Sequence, residues 1–133
     1  MEGIVIADTD VIIDFFCNRR DSAEVISALI LKDRLAVTSI TSYELYAGVK
    51  NQRQKNDISS LLSQCEVFPL RGVEAERAGT IACDLRKKGM PISSHDILIA
   101  AICICRGILL YTRNLAHFER IEGLSLFDDG RKI

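Results

Sequence analysis

Apolar residues run along this chain in two rhythms: short unbroken runs, and longer stretches that repeat every three to four positions. The short runs predict buried strands and the longer stretches amphipathic helices. Residues 3–7 read as the first strand, followed by a short helix over residues 11–17 that ends near Asn18-Arg19-Arg20. Asp21 or Ser22 is placed to cap a second helix, with Val25, Ile26, Leu29 and Ile30 on one face. Leu35 to Thr38 is a second strand. Thr41 or Ser42 is expected to cap the helix after it, which puts Glu44 in a first turn. From Asp57, the spacing of Ile58, Leu61, Leu62 and Cys65 predicts another amphipathic helix. Glu66-Val67-Phe68 is a brief strand closed by Pro69.

Residues 73–88 form the next helix, with Ala78, Ile81, Ala82 and Leu85 inward. It ends in Arg86-Lys87-Lys88-Gly89, cations and a glycine suited to a helix C-terminus. Ser93 or Ser94 caps a helix over residues 95–106 that is apolar on nearly every side, the mark of a central buried helix. Gly107 stops it. Residues 108–111 are a strand, 115–120 a short helix and 124–127 the last strand. Strands alternating with helices predict an α/β fold: a central parallel sheet of about five short strands, covered by helices on both faces. No repeat or linker divides the chain, so residues 1–133 are expected to form one domain.

The formal net charge is -1, which excludes a generally basic nucleic-acid coat. Nucleic acid would have to be met by a local basic patch, with a metal neutralising nearby acids. The five cysteines include no CxxC pair, and Cys103 and Cys105 lie two apart in a helix, facing nearly opposite ways. Buried free thiols in a reducing cytoplasm are expected. No leader segment is evident, and the apolar run over residues 97–105 is far below the ~20 residues of a membrane span. A soluble, cytoplasmic protein without membrane contact is expected.

Four polar residues stand at comparable points of this pattern. Asp8 closes the first strand, Glu44 and Asp96 open helices, and Asn114 follows the strand over residues 108–111. A parallel sheet gathers such strand ends and helix starts along one edge, where α/β proteins bind ligands. Each has a plainer alternative. Asp8, Asp96 and Asn114 could cap helices, and Glu44 could face solvent. If they do meet, two unit charges about 4 Å apart cost on the order of 4 kcal/mol at an effective dielectric near 20. A divalent cation relieves that repulsion, and oxygen donors suit Mg2+, with Mn2+ as a substitute. The arrangement points to metal-assisted phosphoryl or phosphodiester chemistry. Asp10, two residues after Asp8, could coordinate the metal, cap the helix or orient Asp8, and fits best in a supporting place beside the metal ligands.

Four stretches then carry a resemblance: Asp8-Thr9-Asp10-Val11-Ile12-Ile13-Asp14, Glu44-Leu45-Tyr46-Ala47-Gly48, Asp96-Ile97-Leu98-Ile99-Ala100-Ala101, and Tyr111-Thr112-Arg113-Asn114-Leu115-Ala116-His117-Phe118. In this order they resemble the PIN-domain nucleases, and within them the VapC-like toxins of toxin–antitoxin pairs. The resemblance implies a PIN-like three-layer fold and a Mg2+- or Mn2+-dependent endoribonuclease. Asp8, Glu44 and Asp96 match the family's acidic metal-site positions. Asn114 matches a fourth position that is often Asp, and Thr112 one where Ser or Thr lines the site. With one charge fewer, one metal ion in the resting site is expected. Similar enzymes leave a 5′-phosphate and a 3′-hydroxyl.

The resemblance also implies a cognate antitoxin and a homodimer. The helices over residues 11–17 and 57–65 offer apolar faces for such a partner. Arg113 is the first candidate for an RNA contact, and Tyr43 and Tyr46 either stack bases or pack against a neighbouring element. His95 and His117 are expected in structural or surface roles. Two readings compete. One is a haloacid-dehalogenase-like phosphatase using Asp8 and Asp10, against which stand the short chain and the lack of a lysine followed by paired acids. The other is a PIN-like RNA-binding module without catalysis, which Asn114 keeps open.

Overall fold

Four strands lie parallel in the computed structural model, which describes residues 3–129. They are β1 (Val5–Ala7), β2 (Leu35–Thr38), β3 (Glu66–Phe68) and β4 (Leu109–Tyr111), in the sheet order β3-β2-β1-β4. Every residue of β1 and β2 is buried. That is why these strands are continuously apolar rather than alternating. Edge strand β3 exposes Glu66 and Val67.

Seven helices flank the sheet among the described residues: α1 (Thr9–Phe16), α2 (Arg20–Leu31), α3 (Ser39–Ala47), α4 (Gln52–Leu62), α5 (Gly72–Lys87), α6 (Ser94–Arg106) and α7 (Leu115–Phe118). Strand side chains alternate between faces, and the core divides accordingly. Ile6, Ala36 and Leu110 face α5 and α6, where Ile99, Ala100, Ala101 and Ile102 are wholly buried. Val5, Ala7, Leu35, Val37 and Tyr111 face Val11 and Ile12 of α1 and Val25, Ile26 and Leu29 of α2. The expected three-layer fold with α6 as its central helix is the one observed.

The expected fifth strand shrinks to a single bridge between Leu126 and Leu110. Leu110 donates to Ser125 and accepts from Phe127, at 3.0 and 2.8 Å. In a strand of three residues only the middle one turns its backbone groups outward, because its neighbours serve β1. Several helix starts also moved. Thr38 caps α3, accepting from the Thr41 N–H at 3.2 Å, so neither Thr41 nor Ser42 is the cap and Glu44 falls in the second turn. Asn51 caps α4 well before Asp57; its first turns are polar and exposed, and leave no apolar period to read. Arg19 precedes α2, with Asp21 inside its first turn. Ser93 caps α6 and Gly107, at φ 66°, ends it, both as expected.

All five cysteines are free thiols, though Cys17 is exposed and only Cys103 is buried. Among the described residues no helix is long and apolar enough to cross a membrane.

Candidate functional site

Asp8 sits where β1 ends, 5% exposed. One carboxylate oxygen accepts the Thr9 N–H at 2.8 Å, capping α1, and the other accepts the Thr112 hydroxyl at 2.8 Å. Cap and cluster member are therefore the same residue. Burial, then the charge of Asp10 and, more weakly, of Asp96, push its carboxyl from 3.8 up to about 7, against the two hydrogen bonds. Asp10 is raised as well, mainly by burial, while the Arg113 backbone N–H holds its Oδ2 at 3.2 Å. Its Oδ1 is buried without a hydrogen-bond partner among the described residues. Asp10 thus shares the site's electrostatics, beside Asp8, rather than standing apart from it.

Thr112 is buried between its neighbours. It donates to Asp8 and accepts the Asn114 N–H at 2.9 Å, which ties the end of β4 to the end of β1. Glu44 arrives from α3 with both oxygens engaged: Oε1 lies 2.5 Å from the Thr9 hydroxyl and Oε2 lies 2.8 Å from His95 Nδ1. Asp96, in the first turn of α6, places Oδ2 3.4 Å from His117 Nδ1. Asn114 places Nδ2 2.8 Å from the same nitrogen. All five candidate residues, Asp8, Glu44, Asp96, Thr112 and Asn114, therefore belong to one run of contacts at the carboxyl edge of the sheet.

No three acid, histidine or cysteine side chains among the described residues already converge as a metal-binding group. Glu44 is held in place by Thr9 and His95, and Asp96 Oδ2 lies beside His117 Nδ1. The donor set still suits a hard cation. It is oxygen-rich, it contains an orphaned buried carboxylate oxygen on Asp10, and it holds Asp8 in a state that added positive charge would relieve.

Both histidines were missed as site residues. His95 does point away from Asp96, as adjacent helix positions must, but it points at Glu44. His117 reaches back one turn to Asn114. The i, i+3 spacing of Asn114 and His117 was legible in the sequence; the meeting of α6 with α3 was not. Arg113, expected to face RNA, sets its Nε 2.6 Å from Asp14 Oδ2, and Asp14 is buried. Tyr46 bonds the Ser59 hydroxyl at 2.8 Å and so joins α3 to α4, whereas Tyr43 is exposed and edge-on to His95.

Beside the site lies a cleft of about 590 Å³ between α1, α3 and α4. Ile13, Phe16, Leu45, Val49 and Ile58 line it, and Glu44 stands at its border with the acids.

The model of the family described as PIN domain matches residues 5–124. The chain is similar to Ribonuclease VapC1 of Haemophilus influenzae (strain R2866), 32% identical over 131 residues that cover 94% of this chain and 97% of that protein. It is also similar to the tRNA(fMet)-specific endonuclease VapC of Salmonella typhimurium, 32% identical over 99 residues, 71% of this chain and 75% of the relative. In three dimensions it matches the crystal structure of DNA-bound VapBC from Salmonella typhimurium with a TM-score of 0.81. That match has 28% identity and covers 96% of this chain and 98% of the other.

Proposed function

Given that this chain belongs to the PIN-domain family, as a VapC-type ribonuclease toxin of a toxin–antitoxin pair, we propose that it is a metal-dependent endoribonuclease whose metal is held by Asp8, Glu44, Asp96 and Asn114. The cation is Mg2+, with Mn2+ as a substitute. One observation carries this reading: Asp8, buried where β1 ends, is joined through Thr9, Thr112, Asn114 and His117 to Glu44 and Asp96 in one run of contacts, and burial with the charge of Asp10 and Asp96 raises its carboxyl. Crowding of that kind is costly without a cation, and is common at sites that hold one.

When bound, the cation supplies polarisation of the scissile phosphate and a water acidic enough to attack it. The chain's own residues do the positioning. Thr112 fixes Asp8 by its hydroxyl, and Thr9 with His95 fixes Glu44. Attack by water in line with the leaving oxygen breaks the bond from phosphorus to the 3′-oxygen, leaving a 5′-phosphate and a 3′-hydroxyl. The two core layers about one sheet, drawn from residues 4–127, support the reading of the chain as a single domain. The cleft beside Glu44, apolar toward α1 and edged by Asn51, Arg53, Gln54 and Asp57, is the proposed seat of the antitoxin, which would then adjoin the acids. A homodimer is part of the same reading, with Val67, Leu70 and Val73 the apolar surface available near β3.

Membership of the PIN-domain family displaces the phosphatase alternative. A catalytically silent RNA-binding module keeps one observation in its favour, the neutral amide of Asn114 in place of a fourth acid among the site residues. Incubating antitoxin-free protein with structured RNAs, with and without Mn2+, separates the two. Cleavage that EDTA abolishes and Asp96→Asn removes supports the nuclease. RNA binding without cleavage by the folded protein, across several RNAs, establishes the module instead.

A further inference from the structure

Asparagine differs from aspartate in a way that matters at a cation site. Its side chain has one end that can face a cation and one that cannot, because the amide NH2 only donates. Asn114 must therefore be held with its oxygen available. It is held at two points. Its backbone N–H bonds the Thr112 hydroxyl at 2.9 Å, and its Nδ2 lies 2.8 Å from His117 Nδ1. Since Nδ2 donates, Nδ1 of His117 must accept, which places the imidazole proton on Nε2. Asp96 Oδ2 lies 3.4 Å from the same Nδ1, too far for a good hydrogen bond. One nitrogen cannot accept from the amide and donate to the carboxylate at once, and the shorter contact is the amide's. With Nδ2 committed, Oδ1 is the uncommitted end.

We infer that His117 is a positioning residue: by accepting from the Asn114 amide it selects the orientation that presents oxygen to a bound cation. The inference rests on Asn114 being a metal ligand, as proposed above. It explains why an amide suffices at a position where a carboxylate, with two equivalent oxygens, would need no such partner. His117 has 42% of its side chain exposed, so its removal empties no core space.

The test is a double-mutant cycle read by Mn2+ affinity, measured by calorimetry and by electron paramagnetic resonance on the full chain at mildly alkaline pH. His117→Ala weakens Mn2+ binding by roughly 10-fold, as loss of a partner to a metal ligand commonly does. His117→Asn, whose amide oxygen takes the place of Nδ1 as acceptor, recovers most of it. In an Asn114→Asp background the same His117→Ala change has no effect, because either carboxylate oxygen serves. An equal loss in both backgrounds, or no loss in the first, overturns the role of His117. Asn114→Ala that leaves Mn2+ affinity unchanged overturns instead the assignment of Asn114 as a ligand, so the two failures are distinguishable.

Discussion

His95 Nδ1 lies 2.8 Å from Glu44 Oε2, joining α6 to α3 between residues 51 positions apart in sequence. With the Thr9 hydroxyl at 2.5 Å on the other oxygen, Glu44 is gripped from two elements. Such a grip aims a long side chain that would otherwise sample several rotamers, at an entropy cost already met in folding.

His95→Ala is accordingly expected to lower Mn2+ affinity and RNA cleavage by about 10-fold while the fold persists. His95→Asn, whose amide can replace Nδ1, retains most of both. Calorimetry with Mn2+ and a cleavage assay check this. Equal loss with both substitutions would show that the ring's bulk, and not its hydrogen bond, is what matters.

Asp8 sets a pH dependence of stability. Its carboxyl is raised from 3.8 to about 7, so the folded chain holds a proton that the unfolded chain releases. Stability from this group is present below about 4, falls as pH rises toward about 7, and is missing above that. Metal-free protein is expected to melt at a lower temperature at pH 8 than at pH 5. Asp8→Asn removes the charge and stabilises the metal-free protein at pH 8 by roughly 1–3 kcal/mol, while abolishing cleavage. Thermal melts in EDTA decide it, and a destabilised Asp8→Asn protein at pH 8 would refute the account.

Asp10 and Asp8 part company in activity. Asp10 Oδ2 accepts a backbone N–H that an asparagine oxygen also accepts. Asp10→Asn keeps that hydrogen bond and is therefore expected to cost less than about 10-fold in Mn2+-dependent cleavage, below the roughly 10–100-fold of losing a supporting partner outright. Asp8→Asn leaves no measurable cleavage. Comparable loss in both, with a phosphoaspartate trapped on Asp8, would return the phosphatase chemistry.

Arg113 is expected to act on stability before it acts on RNA. It covers the buried Asp14 carboxylate at 2.6 Å, with Arg19 at 3.6 Å on the other oxygen. Arg113→Ala leaves that charge underpaired and costs about 1–2 kcal/mol, discounted because the guanidinium is half exposed. Urea unfolding measures this. Unchanged stability with weakened RNA binding would make Arg113 a substrate contact.

The sheet and its covering helices were legible because burial on both faces leaves a plain imprint, as in the unbroken runs of β1 and β2 and the all-round apolar α6. Asp8, Asp96 and Asn114 were legible as candidates because strand ends and helix starts of a parallel sheet share an edge, and Glu44, placed one turn too early in its helix, still reaches that edge from the second turn of α3. The starts of α3 and α4 were misplaced because the residues that cap them, Thr38 and Asn51, lie outside any apolar period.

By itself, then, the sequence determined the alternation of elements, the buried central helix and the acids at the sheet's edge, since each depends on local spacing and composition. Only the tertiary structure decided which groups hold those acids. Thr112 reaches Asp8 across 104 positions and His95 reaches Glu44 across 51. Arg113 turns to Asp14, and one nitrogen of His117 faces both Asn114 and Asp96. Hydrogen-bond partners depend on distances of a few tenths of an ångström between elements far apart in the chain, and no periodicity along the chain encodes those distances.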